Sequence, residues 1–518
     1  MQILLVLSSL FFSIFYNNLF WKKVSEVYVF NSENVWYFIS LFIFLTSVIY
    51  LVLLLLSYRY TVKPVLILLF MITSLTSYFM DSYGVIIDDG MINNMFETQG
   101  SEVLDLLNLK LFLNIFFLGI VPSYIVYKYR IKYDSFKREV VKRFVAFFVV
   151  LVLIVGNLFV FSRFYTSFFR EHKPLRFYTN PPYYLYSFGK YIALKYFDKK
   201  LPFKKIGLDA KLKKHKKPKL LVLVVGESAR WDHFSLNGYI KTTNPYLKDE
   251  DLVNFEKMYS CGTETATSVP CMFSYLKRKE FSIKKAASYE NLLDIAKRAG
   301  VNVLWIDNNS DSKGVAVRIK NVKNIRGKCN GECRDEVMLK DLPEYLKNTE
   351  EDTIIVLHQM GSHGPAYYKR YPKGFERFKP VCKSNQLQEC TKEEIVNAYD
   401  NTLLYTDYFL SKTIALLKKE KEKFQTALFY MSDHGESLGE GGVYLHAMPY
   451  IIAPEAQKRV GSFIWFGGGF NSIDKKCAKK LSNKELSQDN YFSTVLGLMD
   501  ISTEVYNKNL DIFSKCKK

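Results

Sequence analysis

No cysteine occurs in the first 260 residues of this 518-residue chain, no alanine before Ala146, and no lysine or arginine between Asp81 and Asn108. Each absence excludes something. Without an early alanine there is no A-x-A cleavage site, and the first apolar run has no basic n-region, so it reads as a retained helix rather than a signal peptide. Without internal repeats or low-complexity tracts the chain is neither a solenoid nor a disordered tail. The formal charge of +20 fits an anionic partner, either lipid or nucleic acid. A long apolar half makes nucleic acid the weaker choice.

That half contains five apolar stretches: Ile3–Phe20, Val35–Leu56, Pro64–Met80, Leu111–Val126 and Phe144–Phe161. Each is near the roughly 17–25 residues a helix needs to cross a bilayer. The segment after the fourth carries Lys128, Arg130, Lys132, Lys137, Arg138, Lys142 and Arg143, whereas the one after the third carries Asp81, Asp88, Asp89, Glu97, Glu102 and Asp105. The positive-inside rule places the basic loop in the cytoplasm and the acidic one outside. Lys22 and Lys23 fall on the opposite side from this rule. Five spans then leave everything after Phe161 outside.

The cysteines agree. All eight (261, 271, 329, 333, 382, 390, 477 and 516) lie in the exterior half. Cys261/Cys271, Cys329/Cys333 and Cys382/Cys390 are close in sequence, as local disulfides in an oxidising compartment would be. A zinc ribbon is the competing reading, but its C-x2-C spacing is missing. Cys477 and Cys516 stay unassigned.

The expected organisation is a transmembrane domain of five helices (1–162), an aromatic and then lysine-rich interfacial connector (163–218) and a catalytic domain (219–518). In the connector, Lys211, Lys213, Lys214, Lys216, Lys217 and Lys219 would face anionic headgroups or form a solvated linker. Past it, short apolar runs at Leu220–Val225, Asn302–Ile306, Thr353–Leu357, Thr426–Met431 and Phe463–Phe466 alternate with helical patterns at Tyr289–Arg298 and Glu393–Lys418. This alternation predicts an α/β domain with a largely parallel sheet flanked by helices. Ligands of such sheets sit beyond the carboxyl ends of the strands.

Polar clusters follow three of these strands: Gly226-Glu227-Ser228, His358 to His363, and Ser432-Asp433-His434-Gly435-Glu436. A lone Glu after a strand is commonly a helix-cap neighbour, and a lone Asp-His is commonly surface. Yet four of the seven histidines (His358, His363, His434 and His446) lie in two post-strand segments. With Glu227 and Asp433 they make a site for a divalent metal, zinc by preference. The loop Cys261-Gly-Thr-Glu-Thr-Ala-Thr-Ser-Val-Pro-Cys271 is dense in hydroxyls, which are poor nucleophiles unless a base or metal activates them. Alone, such a loop would be a turn or a helix cap.

The segments Gly226 to Tyr239, Cys261 to Phe273, His358 to Pro365 and Ser432 to Glu440 through His446 resemble those of the lipid A phosphoethanolamine transferases of the alkaline-phosphatase superfamily, which include the mobile colistin-resistance proteins. The likeness spans essentially the whole chain. It implies zinc held by Glu227, Thr265, Asp433 and His434, a possible second zinc, and Thr265 as nucleophile, the fourth position after Cys261. It assigns His363 and His446 to catalysis at the substrate phosphate or a second metal, and Asn309, Lys313 and His358 to the pocket. Asn94, Thr98 and Glu102, spaced by four and so on one helix face, match the donor-headgroup segment; a solvated helix is the plain alternative. Asp311 and Ser312 stand where some relatives carry cysteine.

The implied protein sits in the bacterial inner membrane with its catalytic domain in the periplasm. It moves phosphoethanolamine from phosphatidylethanolamine to lipid A or another periplasmic acceptor. The added amine would lower surface charge and favour resistance to cationic antimicrobial peptides such as polymyxin. A glycerophosphate transferase or sulfatase-like hydrolase could share this plan, although no C-x-P-x-R sulfatase signature occurs. A non-catalytic membrane sensor would not need Glu227, Thr265, Asp433 and His434 intact.

Overall fold

The computed structural model describes the chain except residues 33, 98–102, 105, 198–200, 327, 330 and 331. It forms two compact units, one of Met1–Phe96 with Leu106–Asp198 and one of Glu97–Asp105 with Lys199–Lys518. Residues 163–218 therefore divide, the first part packing with the membrane helices and the last with the soluble unit.

The membrane unit contains α1 (Gln2–Phe15), α2 (Asn18–Val27), α3 (Val35–Leu56), α4 (Val62–Tyr83), α5 (Asp89–Glu97), α6 (Leu109–Lys128) and α7 (Phe136–Val160). Four of these, α3, α4, α6 and α7, are long and apolar enough to cross a membrane, and α1 with α2 makes a fifth only as a pair bent by 58°. The expected straight first span is thus broken, and Asn17 explains it. Its buried side chain donates to Phe12 O at 2.9 Å and Asn180 O at 2.7 Å. Its Oδ1 accepts from the Asn180 amide at 2.8 Å, competing with continued helix. Asp81 then caps α2, its carboxylate accepting from the Leu19 amide at 3.0 Å. Within α6, Ile115–Ile120 is a π-helical stretch. Phe148, Val152 and Val155 on α7 are exposed, as suits a lipid-facing surface.

The soluble unit is built on a seven-stranded sheet. In chain order its strands are β1 (Lys219–Gly226), β2 (Leu252–Asn254), β3 (Asn302–Asp307), β4 (Asn321–Asn324), β5 (Thr353–His358), β6 (Gln425–Ser432) and β7 (Ser462–Phe466). The spatial order is β2-β7-β6-β1-β5-β3-β4. β6, β1, β5, β3 and β4 run parallel, whereas β7 is antiparallel to both its neighbours. The one α-helix within residues 433–461 is short, Glu455–Lys458, so no long crossover helix returns the chain for a parallel pairing. The edge strands β2 and β4 were not foreseen; β4 is polar and wholly exposed.

β1 is buried along its length. Leu221, Leu223 and Val225 face one core layer, which also holds Val269, Ile295 and Val495, while Leu220, Val222 and Val224 face the other, with Tyr399 and Leu410. Each such apolar side chain contributes about 1.5–3 kcal/mol on burial. The first layer is covered by α8 (Thr265–Met272), α9 (Leu292–Arg298) and α10 (Tyr491–Leu498), the second by α11 (Lys392–Lys419). α11 starts at a capping box formed by Thr391 and Glu394, as Ser/Thr-x-x-Glu predicts.

All eight cysteines are paired: Cys261–Cys271, Cys329–Cys333, Cys382–Cys390 and Cys477–Cys516. This removes the zinc-ribbon reading and assigns the two cysteines that spacing left open. Lys219 corrects one expectation. It is 1 % exposed, and its ammonium donates to Asp500 at 2.5 Å and to Leu498 O at 2.6 Å, so it faces the core rather than headgroups.

Candidate active site

β6, β1 and β5 are adjacent and parallel, so the polar clusters at their carboxyl ends meet by topology alone. The loop after β5 folds over the end of β1: the Ser362 amide donates to Glu227 O at 3.0 Å and the Gln359 amide to Val225 O at 3.0 Å. Gly361 is required there. Its φ is +48°, and a Cβ would meet Glu227 O at 2.9 Å, which disfavours any side chain. Buried Asp335 anchors the same loop, accepting from the Met360 and Gly361 amides at 2.9 and 3.1 Å.

Thr265 is the first residue of α8. Its hydroxyl lies 3.1 Å from Glu227 Oε2 and 3.3 Å from His434 Nε2. The ring of His434 is oriented by its other nitrogen, which is 2.8 Å from Gly435 O. A carbonyl only accepts, so Nδ1 carries the proton and Nε2 presents a lone pair. That lone pair faces Glu227 Oε1 at 3.5 Å and Asp433 Oδ2 at 3.3 Å. Asp433 Oδ1 is satisfied by the Ser228 and His434 amides at 3.2 and 2.7 Å, but its Oδ2 is fully buried with no hydrogen-bond partner among the described residues.

Lone pairs pointed at one another inside a protein repel unless a cation lies between them. Electrostatics agrees. Burial and the neighbouring Glu227 charge push the Asp433 carboxyl well above the usual range. Burial works against Glu227 too, and it falls below the usual range only where the facing imidazoles of His434, His363 and His446 are protonated, a positive charge that a bound cation would replace. Two carboxylates driven in opposite directions mark a site short of positive charge. Glu227, His434 and His446 offer ligand atoms within 4.8 Å of one another. The donor set of carboxylate oxygen, imidazole nitrogen and hydroxyl suits a divalent metal of the zinc type.

His446 and His363 flank this cluster, with ring centroids 4.3 Å (His434–His446) and 5.7 Å (His363–His446) apart. Both are half-buried. Asn309 is brought in as well, donating to Glu227 Oε2 at 2.8 Å and Gln359 O at 2.7 Å. Lys313 is half-buried on the same loop, its amide donating to Asp311 Oδ1 at 2.6 Å. His358 is fully buried, with Nδ1 2.9 Å from Asp307 Oδ2 and Nε2 without a hydrogen-bond partner among the described residues. Burial would lower its pKa, but Asp307 prevails and raises it. It belongs to the wall of the site. Asn94 lies on α5 in the membrane unit; Thr98 and Glu102 lie outside the described residues.

Four positioning residues were not foreseen. Glu436 holds His446 Nδ1 at 2.8 Å and is itself held by Tyr367 at 2.6 Å. Gln488 ties the Thr265 loop to the end of β6: its Oε1 accepts from the Cys261 amide at 2.7 Å and its Nε2 donates to Asp433 O at 2.7 Å. Asp307 and Asp335 are the other two. Only Glu436, inside the Asp-His-Gly-Glu run, carried any local signal.

A family model described as phosphoethanolamine transferase EptA/EptB matches residues 45–196, and one described as sulfatase matches residues 219–501. Phosphatidylethanolamine transferase Mcr-2 of Escherichia coli is 42% identical over 96% of this chain and 95% of its own length. Phosphoethanolamine transferase EptA of Escherichia coli K12 is 40% identical over 99% and 96%. The structure of the integral membrane protein lipooligosaccharide phosphoethanolamine transferase A from Neisseria meningitidis superposes with a TM-score of 0.94 at 34% identity, covering 99% of this chain and 98% of that one. This chain belongs to the phosphoethanolamine transferases. A Kdo(2)-lipid A phosphoethanolamine 7''-transferase of Escherichia coli shares 32% identity over 47% of the chain. The transferase is thus an integral membrane protein of the inner membrane, with spans in its first half and a sulfatase-like α/β domain in the periplasm.

Proposed function

We propose that the chain transfers phosphoethanolamine from phosphatidylethanolamine to lipid A through a phosphothreonine at Thr265. The placement of the Thr265 hydroxyl supports this: it begins α8 and lies within 3.3 Å of both Glu227 and His434. Oγ1 of Thr265 attacks the donor phosphorus, its P–O bond forms, and the P–O bond to diacylglycerol breaks. Glu227 Oε2 sits where it can take the hydroxyl proton. The leading amides of α8 and the helix dipole favour the phosphoryl charge.

Glu227, Thr265, Asp433 and His434 would hold zinc, with His363 and His446 candidates for a second ion. The metal would supply positive charge that stabilises the Thr265 alkoxide and the transferring phosphoryl group. One of two histidines, His446 braced by Glu436 or His363, protonates the leaving alkoxide and then deprotonates the incoming acceptor oxygen, whose attack frees Thr265 again. Asn309 steadies Glu227, and Lys313 carries a cation on the same loop for the phosphate; His358 braces the wall from behind. Asn94, with Thr98 and Glu102, is assigned to the donor headgroup by sequence likeness. Adding an amine to lipid A would weaken its attraction for cationic peptides.

The test is mass spectrometry of the Thr265 peptide after incubation of the full chain with phosphatidylethanolamine. An added phosphoethanolamine on Thr265, absent from Thr265→Ala, is expected. An unmodified peptide with no diacylglycerol released would overturn the donor and the nucleophile together.

A further inference from the structure

The residues on either side of His446 have left-handed backbones: φ is +64° at Leu445 and +67° at Ala447. Neither is glycine, and a side chain as bulky as leucine is rarely found there. His446 follows a short antiparallel hairpin of Ser437–Leu438 with Tyr444–Leu445. The two reversals turn the chain sharply around it, and its ring centroid lies 4.3 Å from that of His434.

Strained backbone lasts only where its surroundings hold it, and such residues gather at active sites. Two buried side chains hold this turn. Gln457 donates from Nε2 to Leu445 O at 3.0 Å and accepts at Oε1 from the Met448 amide at 3.2 Å. Thr263 supplies two more bonds: its carbonyl accepts from the Ala447 amide at 2.7 Å, and its hydroxyl donates to Met448 O at 2.6 Å. Gln457 is tied to the hairpin, donating to Ser437 Oγ at 2.9 Å. Thr263 is tied elsewhere. It is 5 % exposed and stands two positions before Thr265, on the loop that leads into α8.

The strained turn is therefore fastened to the segment that presents the Thr265 hydroxyl. Glu436 fixes the imidazole at Nδ1, but the place of the backbone that carries the ring is set by the turn. A relaxation of Leu445 or Ala447 to an ordinary φ would redirect the chain at His446 and draw the ring away from Glu227 and His434, with which it now shares the cluster. We propose that Thr263 is a positioning residue for the transfer: its hydroxyl keeps the Leu445–Met448 turn in the strained form and so keeps His446 in the cluster beside Thr265. This rests on the role given to His446 above.

The test compares the full chain in lipid nanodiscs with Thr263→Val, Thr263→Ser and Thr263→Val combined with Ala447→Gly. Valine keeps the shape and the carbonyl and loses only the hydroxyl. Hydrogen exchange of peptides covering 443–449, followed by mass spectrometry in chelator without substrate, reads the turn itself. Thr263→Val should exchange about fivefold faster there, as loss of one net hydrogen bond implies. Its kcat on phosphatidylethanolamine should fall roughly tenfold, the low end for losing a supporting bond, with KM nearly unchanged. Serine restores the hydroxyl and should restore both readouts. Glycine takes positive φ without being held, so Ala447→Gly should recover much of kcat in the valine background. Unchanged exchange in Thr263→Val, or a loss of kcat that neither serine nor Ala447→Gly recovers, would overturn the inference. His446→Gln separates the two readings: if it leaves kcat unchanged, the role of His446 fails and that of Thr263 with it; if it lowers kcat while Thr263→Val does not, this inference alone falls.

Discussion

Removing one negative charge from the cluster at Thr265 should stabilise the metal-free protein and destabilise the metal-loaded one. Glu227 Oε1 and Asp433 Oδ2 lie 3.5 and 3.3 Å from the same nitrogen, so they are at most about 7 Å apart. At an effective dielectric of about 20, two unit charges at that distance would repel by about 2.4 kcal/mol; the metal-free site relieves part of this by raising the Asp433 carboxyl, so that figure is the most the substitution gains. Asp433→Asn removes that repulsion. Its amide oxygen can still accept from Ser228 and His434, and its new N–H can donate to the orphaned cluster. With zinc the order reverses, because the variant forfeits a ligand. At a zinc concentration about 1,000 times Kd, binding is worth about 4.1 kcal/mol to the wild type, which outweighs the variant's gain by about 1.7 kcal/mol. For domains of this class 1 kcal/mol moves Tm by about 2–4 °C, less for larger ones, so the variant should unfold up to about 5 °C above the wild type in chelator and about 3 °C below it in zinc. Thermal unfolding of the full chain in detergent, followed by tryptophan fluorescence in chelator and in zinc, reads both arms. If Asp433→Asn lowers Tm equally in both, Asp433 is an ordinary hydrogen-bonding residue and the metal reading of the cluster fails.

Other expectations follow the same geometry. Glu436→Gln should cut turnover of phosphatidylethanolamine by roughly 10–100-fold, the usual effect of losing a positioning carboxylate, with Tm unchanged; parallel loss of stability would make Glu436 merely structural. Cys477–Cys516 closes a separation of 39 residues and Cys382–Cys390 one of 8. Loop-closure entropy makes them worth about 4 and about 2.5 kcal/mol, so Cys477→Ser with Cys516→Ser should lower Tm more than the other pair's removal. Burial outweighs the bonds from Tyr246, Asn244 and Leu247 and lifts the Asp407 carboxyl to about 7. From its unfolded value of about 3.9 to about 7 the native state binds more protons, so stability from this group declines as pH rises through that window, by up to about 4 kcal/mol. The stability difference between wild type and Asp407→Asn should change in that sense between pH 4 and 8, and a flat difference refutes the shift.

What could be read in advance depended on range. Apolar runs long enough for a bilayer and strands followed by polar clusters are local patterns, and α3, α4, β1, β5 and β6 follow them. The bend at Asn17 was hidden because its cause is Asn180, 163 positions away. β7 was seen as a strand, but its direction depends on what the intervening chain does, and β4 has no buried face to leave a pattern. At the site, Glu227, Asp433 and His434 stand in a post-strand rhythm that invites attention. Asp307, Asp335 and Gln488 are common polar residues whose importance lies in partners far along the chain. Cys477 and Cys516 likewise meet only because the C-terminal segment returns to the sheet.

The site is assembled from pieces made far apart in time. The Ser228 amide that steadies Asp433 lies 205 positions before it, and His446 and Gln488 come later still. A chain emerging on the far side of the membrane exports its Thr265 loop well before β6 and the Asp433-His434 pair that follows it. Since non-local strand pairing completes late in folding, a half-exported molecule is surrounded by lipid yet has no assembled centre to act on it. The centre can close only after the chain has been exported as far as Gln488, which ties the Thr265 loop to the end of β6.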